Sequence, residues 1–222
     1  MKLRTKLSPR FSVKKAHAMQ RQLSERVVDE DRLPRKIRYV AGVDVAYTKG
    51  VSIGAATVLD SDSLSLIESQ VACCETRFPY IPTLLSFREI PPAFSAVKKL
   101  KTKPDVILVD GQGIAHPYRL GFAAHLGLII DGPTIGVAKN LLCGNVGSFN
   151  NLRWAPITDG KEVIGAAFVS KLGRKPIYVS VGHKVSLNKS IQIVMQFTQA
   201  YRIPEPIRRA HITANEEKRK IA

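Results

Sequence analysis

The sequence predicts an α/β fold built on one mixed sheet, three antiparallel strands leading into parallel strands, with helices on both faces. Three observations carry that expectation. Strand-like segments at 37–47, 51–59 and 64–74 are separated only by Thr48-Lys49-Gly50 and Asp60-Ser61-Asp62-Ser63, and connections that short join antiparallel neighbours. Asp105-Val106-Ile107-Leu108-Val109-Asp110 is a continuous apolar run, the pattern of a strand covered on both faces. Helical segments alternate with the strands after it, which favours crossover connections and helices on each side of the sheet.

Taken in order, Ser12 is placed to cap a helix running to about Val28. Val13, Ala16, Met19, Leu23 and Val27 fall at helical spacing and read as its core-facing stripe, with Lys14, Lys15, Arg21 and Arg26 opposite. Asp29 to Lys36 is a charged connection to the three-strand meander. Glu75 to Pro82 reads as a loop, and Thr83 to Lys101 as a helix disturbed by Pro91-Pro92. After the 105–110 strand, Gly111-Gln112-Gly113 breaks the run. A helix is expected over 118–130, a strand over 134–138, a loop from Trp154 to Gly160, and strands near 162–170 and 176–182. Ser186 is placed to cap a helix to about Tyr201, and the basic tail from Pro204 reads as helical from Pro206.

The 222 residues suffice for one domain, 1–222, with a basic segment at its start and a basic tail at its end. No apolar run reaches membrane-spanning length, and Met1-Lys2-Leu3-Arg4 is not followed by a signal-peptide stretch, so no membrane partner and a cytoplasmic, monomeric protein are expected. Cys73, Cys74 and Cys143 have neither disulfide nor zinc spacing and read as small core residues. Lys and Arg number 34 against 18 acids, a net charge of +16. Such an excess favours a polyanion, and nucleic acid above others, through phosphate contacts and counterion release.

Asp44 stands alone in Tyr39-Val40-Ala41-Gly42-Val43-Asp44-Val45-Ala46-Tyr47. A carboxylate there either faces solvent or is paired or holds a metal. Asp110 ends the second apolar strand, Lys139 ends the third, and Glu89 projects from the intervening helix. Ligands collect beyond the carboxyl ends of such strands. Three converging carboxylates repel one another, which a divalent cation cures, and oxygen ligands suit Mg²⁺, with Mn²⁺ able to substitute. Lys139 would add a positive charge beside a leaving oxygen.

Pro79-Tyr80-Ile81-Pro82 puts an aromatic and an aliphatic side chain between two stiffening prolines. A rigid apolar tip on a basic protein suits a duplex wedge, as base extrusion requires, or else a buried loop. Gly111 and Gly113 permit close backbone approach to a ligand, though a strand-to-helix turn uses glycine too. His116, before Pro117, reads as a phosphate or base contact or as a locally satisfied histidine.

These residues lie in longer stretches. Val40-Ala41-Gly42-Val43-Asp44-Val45, Pro79-Tyr80-Ile81-Pro82 with Leu84-Leu85-Ser86-Phe87-Arg88-Glu89, and Val109-Asp110-Gly111-Gln112-Gly113-Ile114-Ala115-His116-Pro117 are followed by others. Those are Pro133-Thr134-Ile135-Gly136-Val137-Ala138-Lys139 with Leu142-Cys143-Gly144, Val179-Ser180-Val181-Gly182-His183-Lys184, and Tyr201-Arg202-Ile203-Pro204-Glu205-Pro206 with Arg209-Ala210-His211. In this order they resemble the deoxyinosine-directed endonuclease V family over nearly the whole chain.

The resemblance implies an RNase H-like fold and a Mg²⁺-dependent repair endonuclease acting on DNA with deaminated bases. It implies cutting of the second phosphodiester bond 3′ to deoxyinosine, leaving 3′-hydroxyl and 5′-phosphate ends. Asp44, Glu89 and Asp110 become the acidic metal site, with His211 at the fourth position and Lys139 as electrostatic helper. Pro79, Tyr80, Ile81 and Pro82 become the wedge, and Gly111, Gly113 and Leu142 the lining of the base pocket. His183 is left structural. Thr83 stands where the family's glycine is expected, and Tyr118 where an arginine is frequent. The rival readings are a related nuclease acting on inosine-containing RNA or branched DNA, and a non-catalytic nucleic-acid-binding protein.

Overall fold

The computed structural model describes residues 12–149, 151 and 153–222; the basic segment expected at 1–11 lies outside them. Helix α1 (Val13–Ser24) precedes the meander of β1 (Tyr39–Thr48), β2 (Val51–Asp60) and β3 (Leu66–Glu75). Helix α2 (Leu85–Lys98) leads to β4 (Val106–Asp110), and α3 (Phe122–Ile130) leads to β5 (Thr134–Ala138). Strands β6 (Asn145–Val146), β7 (Trp154–Asp159), β8 (Glu162–Phe168) and β9 (Ile177–His183) follow, then α4 (Leu187–Phe197) and α5 (Glu205–Ile221). Among the described residues, no helix is long and apolar enough to cross a membrane.

One sheet holds these strands in the order β3-β2-β1-β4-β5-β9-β8-β7-β6. The parallel part is β1, β4 and β5 at its centre, with Val43 opposite Val109 and Asp110 opposite Val137. Antiparallel strands extend it on both sides. Alternate residues face opposite layers. Ala41, Val43, Ile107 and Val109 pack with Ala93 and Ala96 of α2 and Phe122 and Leu126 of α3. Val40, Leu108 and Ile135 pack with Ile191, Val194 and Phe197 of α4 and Ile207 of α5.

Gly42 decides how closely α5 approaches. A Cβ at Gly42 would lie 1.9 Å from the Pro206 carbonyl oxygen, so only glycine lets the helix start rest on β1. Thr57, opposite Gly42, fixes the same turn by donating its hydroxyl to Pro206 O at 3.1 Å.

Several expectations are corrected. Residues 154–159 form a strand, not a loop. The Pro156 in it lacks an N–H, but its outer neighbour β6 has only two residues, so the missing donor falls on a nearly open edge. In α1 the buried residues are Ala16 and Gln20, while Val13 and Met19 are exposed. The reason is that Gln20 meets loop backbone, donating to the carbonyls of Thr83 at 2.8 Å and Leu120 at 3.1 Å. Helix α2 continues through Pro91 and Pro92. The third helix starts at Phe122 rather than 118, after Arg119 at φ 51°, and α4 ends at Phe197. Cys73 is exposed and Cys74 only half-buried, so neither is a core residue, while the half-buried Cys143 packs against the cluster of Ala115, Ile157, Ile164 and Ala167. The caps at Ser12 and Ser186 are present, each accepting from the backbone N–H three residues on.

Candidate active site

Parallel pairing of β1 with β4 sets Asp44 beside Asp110, one residue beyond the Val43–Val109 pair. Both acids share the alternation of Val40 and Leu108, so they face the α4–α5 layer. There α5 supplies His211. Ligand atoms of Asp44, Asp110 and His211 all lie within 4.8 Å of one another. His211 Nδ1 is 2.7 Å from Asp44 Oδ2, and Asn215 Nδ2 is 3.2 Å from Nε2. A ring protonated at Nδ1 serves both contacts, donating to the carboxylate and accepting from the amide. Lys139, the first residue past β5, places its ammonium 2.5 Å from Asp110 Oδ2.

The acids are under electrostatic strain. Burial and then the Asp110 charge push the Asp44 carboxyl above its ordinary range, partly offset by the His211 bond. Glu89, from α2, is buried, and burial followed by the charges of Asp44 and Asp110 pushes it well above the ordinary value. Its Oε2 is buried without a hydrogen-bond partner. Glu89 is outside the group whose ligand atoms lie within 4.8 Å, and His211 is inside it. Two carboxylates and an imidazole within ligand reach, with an orphaned carboxylate oxygen nearby, fit a hard divalent cation.

A cleft of about 120 Å³ adjoins the acids, lined by Tyr80, Pro82, Thr83, Leu85, Ser86, Glu89, Gly111, Gln112, His116, Gly121, Phe122 and Leu142. Tyr80 stands at its rim with 67% of its surface exposed. Pro79 and Tyr80 also line a separate groove with Tyr47 and Arg88, and Ile81 is half-buried. Gly111 and Leu142 are among those lining residues; Gly113 is not. It packs under β9, where a Cβ would lie 1.9 Å from Val181 O, and its N–H donates to Ser180 Oγ at 2.8 Å. Its glycine serves that close approach. His116 lines the cleft and is also locally satisfied, accepting from Tyr118 N–H at 3.1 Å. Burial lowers its pKa to about 4, so it is neutral near pH 7. His183 is structural, buried and accepting from Val28 N–H.

The sequence model of the Endonuclease V family matches residues 21–212. The chain belongs to the Endonuclease V family. It is 47% identical over 210 residues to Endonuclease V of Thermofilum pendens, covering 94% of this chain and 90% of that one. Its structure is similar to that of Endonuclease V from Streptomyces avermitilis, with a TM-score of 0.88 and 38% identity over 95% of this chain and 94% of that one. It is also similar to Ciona intestinalis Endonuclease V in complex with a DNA 24mer containing an inosine followed by a ribo-adenosine. That likeness has a TM-score of 0.84 and 30% identity over 95% and 98% of the two chains. The mixed sheet is the RNase H-like fold of this family.

In this Endonuclease V chain two groups near the site escaped the reading of the sequence. Arg202 donates to the carbonyls of Lys139 at 2.9 Å, Pro176 at 2.8 Å and Lys175 at 2.9 Å, and so fixes the backbone that carries Lys139. The only signal was its place in the Tyr201–Pro206 stretch. His17 and Gln20 of α1 reach Thr83 at the cleft; a polar Gln20 one position after the apolar Met19 was the available hint.

Proposed function

We propose that this chain is a DNA repair endonuclease that recognises deoxyinosine and hydrolyses the second phosphodiester bond on its 3′ side, leaving 3′-hydroxyl and 5′-phosphate ends. Mg²⁺ is the proposed cofactor, with Mn²⁺ as a substitute. The observation that carries the reading is the shared wall: Glu89 lines the cleft and is also close enough to Asp44 and Asp110 to feel both charges. This supports reading the cleft as a base pocket beside a site suited to a phosphate, an arrangement compatible with a cut offset from the lesion.

Each side chain has a role in this reading. Asp44 and Asp110 hold the cation, His211 holds Asp44 in position or joins the ligands, and Glu89 supplies the remaining negative charge. Held by these residues, a divalent cation would supply the charge to stabilise phosphate oxygens and to make a water nucleophilic. Lys139, already directed at Asp110, offers its positive charge to the leaving oxygen. Tyr80 fills the gap left in the duplex when the base is extruded, and the cleft walls sandwich that base. The excess of basic residues binds the backbone on either side.

The Ciona relative is bound to a strand with a ribonucleotide after the inosine, which makes inosine-containing RNA the second substrate reading. Both are tested on end-labelled strands carrying one deoxyinosine or one inosine in Mg²⁺ buffer. A nick directly after the 3′ neighbour of deoxyinosine in DNA, at the second phosphodiester bond, supports the reading. Cutting confined to RNA or to branched DNA moves the substrate, and binding without any cutting favours the non-catalytic alternative.

A further inference from the structure

Residues 81–84 form a turn closed by the Leu84 N–H donating to Ile81 O at 3.0 Å. Proline at its second position and positive φ at its third is the pattern of a type II turn, where the third residue is ordinarily glycine. Here it is Thr83, at φ 69°. A β-branched residue in that region is an outlier and persists only where its surroundings over-determine it.

The surroundings do so, chiefly from α1, with His116 also bonded to the Thr83 backbone. The Thr83 hydroxyl donates to Pro82 O at 2.5 Å and lies 2.9 Å from His17 Nε2; with its own proton so used, it accepts from His17. Gln20 donates to the Thr83 carbonyl at 2.8 Å. Its amide also reaches Leu120 O at 3.1 Å, tying the turn to the segment before α3. The His17 ring is stacked on that of Tyr118 with centroids 4.0 Å apart, and the Arg21 guanidinium lies 5.0 Å from the Tyr118 ring centroid. Both tied segments border the cleft, through Pro82 and Thr83 on one side and Gly121 on the other.

We propose that Thr83 sets the width of the base cleft in this chain, and that α1, through His17 and Gln20, is the brace that keeps it there. The inference rests on the reading of that cleft as the base pocket. A glycine at position 83 would leave open the volume that the threonine side chain fills. The filled cleft accepts hypoxanthine and disfavours a purine carrying one more exocyclic oxygen, as xanthine does. Because the brace pre-orders the Pro79–Pro82 tip, the ordering is not left to the moment of binding.

The test compares parent, Thr83→Gly, His17→Ala and His17→Gln on duplexes with a single deoxyinosine or deoxyxanthosine, measuring kcat and KM for each. Glycine is at home at φ 69°, so Thr83→Gly folds; its melting temperature is measured alongside. The expected result is a shift of kcat/KM toward deoxyxanthosine of about tenfold relative to deoxyinosine in Thr83→Gly. His17→Ala is expected to raise the deoxyinosine KM about fivefold with little change in kcat, and His17→Gln, which keeps an N–H donor, to recover most of it. An unchanged base preference in Thr83→Gly, or a parental KM in His17→Ala, overturns the inference while leaving the proposed function intact. A parent protein that nicks no deoxyinosine duplex overturns both.

Discussion

His211 Nδ1 lies 2.7 Å from Asp44 Oδ2, and this contact joins a half-exposed side chain of the last helix to a buried side chain of the first strand. It is the point at which α5 closes the acidic cluster. The closure depends on Gly42, two residues before Asp44 on the same face of β1, which lets the start of α5 rest against the sheet.

A methyl group at position 42 tests that dependence. Gly42→Ala places a Cβ 1.9 Å from the Pro206 carbonyl oxygen, so α5 must shift or the strand must bend. Overpacking of this kind costs about 1–3 kcal/mol, or roughly 2–10 °C in melting temperature for a chain of this size. Because the shift carries His211 away from Asp44, nicking is expected to fall at least about a hundredfold, more than the stability loss alone accounts for. A variant with parental activity would show that α5 tolerates the displacement.

The raised acids predict a response to metal that does not depend on turnover. Asp44 and Glu89 have folded-state pKa values above their ordinary ones. The folded protein therefore holds protons that the unfolded chain has released, and metal-free stability falls as pH rises through that window. At pH 7, Glu89→Gln is expected to melt higher than the parent without metal. Mg²⁺ is expected to raise the parent's melting temperature and to leave Asp110→Asn little changed. Equal Mg²⁺ shifts in both proteins would place the ion elsewhere.

Arg202 is expected to act on the chemistry without touching substrate. Its planar guanidinium serves three carbonyls, among them that of Lys139, and a lysine ammonium cannot reproduce that fork. Arg202→Lys is therefore expected to lower kcat about tenfold with KM for DNA within about twofold. A change in KM alone would assign Arg202 to binding instead.

A separate pH effect comes from His125, packed between α2 and α3 beside Ser86 and Phe87. Burial lowers its pKa from 6.5 to about 4. Its contribution to stability is present in full above pH 6.5 and is lost as pH falls toward 4, because the unfolded chain takes up the proton first. The loss is on the order of 3 kcal/mol. His125→Gln should flatten this dependence in urea unfolding at pH 7 and pH 4.5; an unaltered slope would assign it to other groups.

The sequence disclosed the acidic pair because a lone carboxylate in an apolar strand, and another at a strand end, are readable locally, and parallel pairing then brings Asp44 and Asp110 together. Lys139 was legible in the same way. His211 was visible only through the family resemblance, since 167 residues separate it from Asp44 and no local pattern announces the contact. Strand β7 was missed because Pro156 reads as a breaker unless the thin edge beside it is known. The packing reason for Gly113 was not legible because a glycine required by a packed strand and one required by a ligand look alike in sequence. Thr83 was noticed as a departure, but its brace was not, because His17 and Gln20 lie more than sixty residues away in the chain.

In the proposed reaction the Asp44–Asp110 cluster cuts a strand whose deaminated base occupies the neighbouring cleft. Mapping the nick in a duplex with one deoxyinosine, with Mg²⁺ or with EDTA, for parent and Asp44→Ala decides this. The parent is expected to make a single Mg²⁺-dependent nick at the second phosphodiester bond 3′ of the lesion, with Asp44→Ala binding the duplex and leaving it intact. A nick of the same position and rate in Asp44→Ala, or in EDTA, would contradict it.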